Sequence, residues 1–374
     1  MKRKTESADQ TPKRPMYVQI VENLRAGIVS GQYRSGSKLP SEAELVRKFG
    51  VSRMTVVKAM QQLQQDGLLT RRAGSGSFVS PSSGKDLPTY GLIIPDLGQT
   101  EIFEPICQGM SRSSDNAGHS LSWGHSPLKN VGREEEAELL CQQYIAQQIS
   151  GVFFAPVEFS SKRDLVNGRI LSALKAARIP VVLLDRCVLD FPERSAYDVV
   201  GLDNRRAGYI VANHLVRQGA QHIAFLAEPN SAETVTDRIQ GYHEALHADG
   251  RERTRSLLIR EDGSDVASIE AVLKNNKIDA IQCANDHTAA KLMRTLITLG
   301  VRIPEDIRIT GVDDVKYASL LPVPLTTFHQ PCTDIGLAAV AAMKERIANP
   351  HLPGRSITLN GHLVIRQSCG STVN

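Results

Sequence analysis

The sequence predicts an α/β protein of two modules, a small helical head closed by a strand hairpin and a two-lobed body of parallel sheets. Three observations lead there. The first 80 of the 374 residues carry 14 Lys/Arg against 6 Asp/Glu, a net of +8, whereas the rest carry 30 against 34, a net of −4. A Pro/Gly/Ser stretch, PSSGKDLP at 81–88, lies between the two regions and reads as a linker. Beyond it, apolar strand-like runs alternate with segments of helical period, the pattern of βαβ units whose parallel sheets are covered on both faces.

Taken in order, residues 1–15 are charged and poor in apolar side chains, and are expected to form a flexible arm. Residues 16–30 place Val18, Val21, Leu24 and Ile28 near helical spacing, with Gly31 as a C-cap. Ser41-Glu42-Ala43-Glu44 fits a capping box and opens a helix over 42–49. Ser52 caps a second helix over 53–66, with Val51 and Val56 placed as a hydrophobic staple. Phe49-Gly50-Val51 is the turn between them, and two capped helices around a Gly-containing turn are the helix-turn-helix pattern. Residues 67–80, GLLTRRAGSGSFVS, read as two short strands around a Gly/Ser turn, so residues 16–80 form one domain.

On the second capped helix Val56, Met60 and Leu63 share the core side. Thr55, Lys58, Gln61 and Gln62 are read as the opposite face, and Arg53 stands at the helix N-terminus. Such side chains donate to phosphates and base edges, and a helix N-terminus favours a phosphate. Any solvated helix face has a similar composition, so the pattern supports nucleic-acid binding without proving it. Gly74-Ser75-Gly76 is not a phosphate loop, because strands flank it on both sides and no GxxxxGK[ST] accompanies it. A turn needing φ > 0 explains the glycines.

In residues 89–374 the strand-like runs are YGLIIP, SGVFFAP, IPVVLLD, HIAFLAE, IDAIQCAN and IRITGVD. Helical periodicity covers 131–148, 163–177, 204–218, 235–248, 265–275, 285–299 and 333–347. That is more than one compact sheet holds, so two α/β lobes are predicted. Polar residues end three of the runs: Asp185-Arg186, Asn285-Asp286 and Asp313-Asp314. Open parallel sheets bind ligands outside the carboxyl ends of their strands. A polyhydroxylated ligand needs acceptors such as Asp beside donors such as Arg and Asn. Strand-end Asp and Asn also serve as caps of the next helix, and both readings stand at this point.

Other classes find no support. There is no HExxH, no GxSxG and no zinc-ligand cluster, so neither catalysis nor a metal or other cofactor is expected. Glu134-Glu135-Glu136 reads as an acidic first helical turn. No apolar run approaches the ~18–20 residues of a membrane span. The basic N-terminus lacks a following apolar segment, so a secretory signal is not expected. The six cysteines are scattered without a CxxC pair, which points to reduced thiols in a cytosolic protein.

Residues 16–79 resemble the winged helix-turn-helix of GntR-family transcription regulators nearly end to end. The resemblance is carried by Leu24-Arg25-x-x-Ile28, Leu39-Pro40-Ser41-Glu42-x-x-Leu45, Val51-Ser52-Arg53-x-Thr55-Val56, Gly67-Leu68 and Gly74-x-Gly76-x-Phe78-Val79. It implies that Ser52, Arg53 and Thr55 meet the major groove or its phosphates and that Gly74 and Gly76 form a wing tip in the minor groove. Ser41, Glu42 and Lys58 complete the implied DNA-facing set. Two positions depart from the family: Ser35 stands where Pro is usual, and Val57 where a polar contact residue is frequent.

Residues 89–370 are similar to the effector domain of LacI/GalR repressors and to periplasmic sugar-binding proteins. The matching stretches include Asp185-Arg186, Asp203-Asn204 with Gly208, Arg238-x-x-Gly241-Tyr242, Ala284-Asn285-Asp286, Gly311-x-Asp313-Asp314 and Gln330-Pro331. The similarity implies effector contacts from Phe103 (a ring stacked on a sugar), Asp185, Arg186, Arg238, Asn285, Asp313 and Gln330. The pairing of such a head with such a body resembles the arabinose-responsive repressors. It implies a homodimeric repressor that binds double-stranded operator DNA and is released by a small sugar such as a pentose. A purine or phosphosugar effector is the alternative, and a sugar-transport component a more distant one.

Overall fold

In the computed structural model the described residues are 16–29, 32–33, 36–65, 68–72, 76–79, 87–95, 101–124, 132–250 and 256–371. The predicted arm, Gly31, Ser35, Gly74 and most of the linker lie outside them. The chain divides into two units, Met1–Pro88 and Thr89–Asn374.

The first unit contains α1 (Met16–Val29), α2 (Glu42–Phe49) and α3 (Arg53–Gln65), followed by the antiparallel pair β1 (Leu69–Arg72) and β2 (Gly76–Val79). Ser41 accepts from the Glu44 amide while the Glu44 side chain returns to the Ser41 amide, which closes the capping box. Those bonds hold the Glu44 carboxyl below its usual range. Gly50 ends α2 at φ 63°, a left-handed conformation that glycine adopts without strain. The Ser52 hydroxyl accepts from the Thr55 amide and thereby caps α3. Ile20, Leu24, Ile28, Leu45, Val56, Met60, Leu63, Leu69 and Val79 form one core. The segment before α2 also pairs with β2, through Leu39 N–H to Ser77 O and Val79 N–H to Ser37 O.

The second unit holds two six-stranded sheets. Its elements run β3 (Thr89–Ile93), α4 (Phe103–Ala117), β4 (Ser120–Trp123), α5 (Arg133–Ala146), β5 (Gly151–Phe154), α6 (Arg163–Ala176), β6 (Val181–Leu184) and β7 (Asp198–Leu202). Then follow α7 (Asn204–Arg217), β8 (Ile223–Ala227), α8 (Glu233–Ala248), β9 (Leu257–Arg260), α9 (Val266–Asn275), β10 (Ala280–Cys283) and α10 (Asp286–Thr298). Last come β11 (Arg308–Asp313), β12 (Thr326–His329), α11 (Cys332–Ala348), β13 (Ser356–Leu359) and β14 (His362–Val364). One sheet has the order β13-β7-β6-β5-β3-β4 and the other β14-β12-β11-β10-β8-β9. Every pairing in them is parallel except β12 with β14.

The chain crosses between the lobes three times. It passes from β7 to α7, from β12 to α11, which packs on α4 and on β6 and β7, and from β13 to β14. All three crossings leave strands at or next to one edge of each sheet. Each sheet is buried on both faces, as the period-2 geometry of a strand allows. On β6, Val182 and Leu184 join the core beneath α4 and α11, and Val181 and Leu183 join the core beneath α5 and α6. In the second lobe the corresponding cores lie under α9–α10 and under α7–α8.

Helix pairs in both lobes meet through reciprocal glycines. A Cβ on Gly208 of α7 would stand 2.0 Å from the Arg238 carbonyl oxygen, and one on Gly241 of α8 would stand 1.9 Å from that of Arg205. This close approach delivers the Arg238 side chain to the start of α7.

Candidate functional site

Two sets of functional side chains emerge, one in each unit. In the head, Arg53 opens α3 with its side chain 82% exposed. Its Nε lies 3.4 Å from Glu42 Oε2, and the other oxygen of Glu42 receives the guanidinium of Arg71 on β1. Glu42 therefore holds two cations in place, a role its sequence position did not reveal. Lys58 is exposed, with its Nζ 4.2 Å from the centre of the Tyr17 ring. Gly76 begins β2 at φ 107°, a conformation that favours glycine.

The predicted DNA face needs correcting in one respect. Thr55 is half-buried and its hydroxyl lies 2.9 Å from that of Ser52, so both belong to the cap as much as to the surface. The outermost line of α3 runs instead through Met54, Lys58 and Gln61, all exposed. Met54 was missed because an apolar residue in a helical segment reads as core.

In the body, the implied effector residues come together at the carboxyl ends of the strands, between the lobes. Asp185 and Arg186 follow β6, and Asp313 ends β11. Asn285 caps α10, and Gln330 sits in the crossing from β12 to α11. Asp185 has φ 67° and Asp313 φ 116°, unusual for non-glycine residues and costing roughly 1–3 kcal/mol each. A cavity of about 320 Å³ lies between Phe103, Glu158 and Arg186 of one lobe and Asn285, His287 and Asp313 of the other. That size falls within the ~300–1,000 Å³ of small-molecule sites. Asp185 lines a neighbouring cavity of about 340 Å³, and Gln330 another of about 410 Å³. The three are joined by shared walls at Arg186 and Asp313.

Arg238 lines none of these three cavities. Its Nε donates to Asn204 Oδ1 at 2.8 Å and its Nη1 to the Ala284 carbonyl at 2.7 Å, while Nη2 lies 3.7 Å from Asp313 Oδ1. It supports the cleft from behind. Asn285 Oδ1 accepts from the Thr288 amide at 2.8 Å, so this oxygen caps the helix even though the residue lines the cavity. The Phe103 ring is 99% buried, and the Arg186 guanidinium lies over it at 5.5 Å from the centre. One face of this ring thus carries an arginine.

Among the described residues, three buried polar atoms in this region lack a hydrogen-bond partner: Arg186 Nε, Asp313 Oδ1 and Gln330 Oε1. Buried polar groups are ordinarily satisfied, and here a donor and two acceptors converge from both lobes. Three cations of this region already face carboxylates. Arg186 pairs with Glu158 and faces Asp185 at 3.8 Å, Arg238 faces Asp313, and Lys291 Nζ lies 2.8 Å from Glu228 Oε1. Burial pushes the Asp313 carboxyl well above the usual carboxylate range, against the pull of Arg238.

Glu158 and Glu101 are further cleft residues that the sequence reading passed over. Glu101 accepts from the Tyr317 hydroxyl of the opposite lobe at 2.9 Å. Burial would raise its carboxyl, but the His287 imidazole 3.7 Å away and the Tyr317 hydroxyl hold it lower. A second lobe-to-lobe tie runs from Phe159 N–H to the Asn230 carbonyl at 3.0 Å. Among the described residues no group of three or more His, Cys, Asp or Glu is placed to hold a metal ion.

Residues 16–79 match the family of bacterial regulatory proteins, gntR family, and residues 212–369 match the periplasmic binding protein-like domain. Over 365 residues the chain is 28% identical to an arabinose metabolism transcriptional repressor of Geobacillus stearothermophilus, which covers 94% of this chain and 95% of that one. It is 25% identical over 284 residues to the HTH-type transcriptional repressor PurR of Photobacterium profundum, with 75% of this chain and 80% of the relative covered. Among solved structures, a LacI family transcriptional regulator from Enterococcus faecalis V583 with bound ribose superimposes with a TM-score of 0.61. It is 26% identical and covers 75% of this chain and 98% of that one.

Proposed function

We propose that this chain, a GntR-type helix-turn-helix domain followed by a LacI-type periplasmic-binding-protein-like domain, is a transcriptional repressor that leaves its operator when a neutral monosaccharide occupies the cleft. The observation that carries the ligand reading is the convergence of Arg186, Asp313 and Gln330, each with a buried atom lacking a partner. Sugar hydroxyls both donate and accept, and so satisfy all three. The pairing of two cavity cations, Arg186 and Lys291, with carboxylates favours an uncharged ligand over a phosphosugar.

Residues 16–80 act as the DNA-binding domain and 89–374 as the effector domain, joined by the linker at 81–88. Arg53, Lys58 and the first turn of α3, capped by Ser52 and Thr55, face the duplex, with Ser41 and Glu42 supporting that surface and the Gly74–Gly76 turn as wing. Asp185, Arg186, Asn285, Asp313 and Gln330 hold the sugar, Arg238 orients Asp313, and Phe103 backs Arg186. A homodimer would present two such heads to a two-fold related operator. Sugar and operator would oppose one another by a reciprocal coupling, typically ~1–3 kcal/mol. Among the described residues no helix is long and apolar enough to cross a membrane. Binding to operator DNA calls for a cytosolic setting.

The testing experiment is a thermal-shift screen of the full chain against L-arabinose, D-ribose and other monosaccharides, with hypoxanthine and ribose 5-phosphate as contrasts. A ligand of the folded state raises the melting temperature. A shift with a free sugar, together with release of the chain from its selected duplex, supports the proposal. A shift with the purine or phosphosugar alone replaces the effector, and silence towards every sugar overturns the sugar reading.

A further inference from the structure

Successive residues of a helix are separated by about 100°. On α3 the buried side chains are Val56, Ala59, Met60 and Leu63, and the direction opposite their mean runs through Met54, with Lys58 and Gln61 to either side. Met54 is 75% exposed, the most exposed large apolar residue among the described residues of the head, and stands beside Arg53 in the first turn. A solitary apolar residue on an arbitrary surface needs no explanation. This one lies where a recognition helix brings its N-terminal residues to base edges, flanked by cationic and amide side chains that suit phosphates and polar base edges. Val57, another apolar side chain on this helix, is half-buried, whereas Met54 is exposed.

The major groove offers one apolar feature, the C5-methyl group of thymine. We infer that Met54 reads thymine methyl groups in the operator, making apolar contact a determinant of sequence choice beside the polar contacts of Arg53. A thioether chain is unbranched and polarizable, and so adapts to a methyl group that polar neighbours cannot recognise. This inference rests on the repressor reading of the head.

The test begins by selecting bound duplexes from a randomised pool with the full chain. Each thymine of the selected duplex is then replaced singly by deoxyuracil, which removes only the methyl group, and affinities are measured by fluorescence anisotropy. At one or two thymines per half-site the replacement should weaken the parent about fourfold, the worth of one buried methyl (~0.8 kcal/mol). Met54→Ala should bind the thymine and uracil duplexes alike, Met54→Leu should restore the difference, and the salt dependence should match the parent because phosphate contacts are untouched. Uniform indifference to the methyl group, or a methyl effect undiminished in Met54→Ala, overturns the inference and leaves the regulator reading standing. Failure to enrich any duplex overturns both.

Discussion

Glu42 in the head and Asp198 in the body share a plan, one carboxylate between two arginines, but differ in burial. The side chain of Glu42 is 19% exposed and its partners Arg53 and Arg71 are 82% and 53% exposed. Asp198 is fully buried, with Arg346 11% and Arg355 32% exposed. Asp198 ties the start of β7, the end of α11 and the approach to β13, and so fixes two strands that lead into lobe crossings. Glu42 orders cations without removing them from water, which leaves their charge available to a polyanion outside. The same arrangement thus serves as a scaffold where it is dry and as a presented contact where it is wet.

The strongest test of that contrast is stability. Asp198→Ala strands Arg346 without its carboxylate and should lower the unfolding free energy by about 3–5 kcal/mol in urea titrations. Glu42→Ala should cost under about 1 kcal/mol, as exposed pairs do. Equal losses would remove the distinction. Asp198 also predicts the acid behaviour. Burial alone would raise its carboxyl, but hydrogen bonds from Arg355 and Arg346 hold it below the ordinary value. Its contribution is therefore present above its unfolded pKa near ~3.9 and disappears as pH falls through the folded value.

Next in size are the two substitutions that separate the functions. Asp313→Ala should weaken sugar binding by up to about tenfold, the upper end of the ~0.5–1.5 kcal/mol of an ordinary net hydrogen bond, and leave duplex affinity intact. Arg53→Ala should reduce duplex affinity by ~1–3 kcal/mol while the melting temperature and its sugar-induced rise remain those of the parent. Calorimetry with sugar and anisotropy with duplex, run on both variants, would expose any crossover.

The smallest effect concerns Glu233, whose carboxyl is raised to about 7 by burial and by Asp237 and Asp190. A raised carboxyl contributes fully below its unfolded pKa of ~4.3 and loses that contribution as pH climbs through the folded value. Melting temperatures of the parent should thus decline between pH 5 and pH 8 more than those of Glu233→Gln. Parallel profiles would refute the assignment.

Much of this architecture was legible from local patterns. The alternation of runs such as VVLL and IAFLA with helical segments foretold β6, β8 and their covering helices, because strands buried on both faces are continuously apolar. Ser41 and Glu44 announced a cap that needs only four consecutive residues. Six strands escaped: β4, β13 and β14 are partly exposed, so SLSW, SITL and HLV lack the apolar run, and β7, β9 and β12 (DVVGL, LLIR and TTFH) also went unread. In the cleft, Asp185 and Asp313 were visible as strand ends. Glu158 follows its own apolar run, SGVFFAP, and the same rule applied there would have found it. Glu101 gave no local signal, since its partner Tyr317 lies far along the chain, and Asn204 stood out only through the resemblance, without its tie to Arg238.

The sequence by itself determined the two-module plan, the capped helix pair, the doubly covered sheets and the polar residues at strand ends, because each depends on neighbours within a few turns. The tertiary structure alone decided the three crossings, the support of Asp313 by Arg238, the arginine over the Phe103 ring and the outward turn of Met54. Those depend on which distant segments meet and which faces they leave to solvent, and only the packed chain supplies that information.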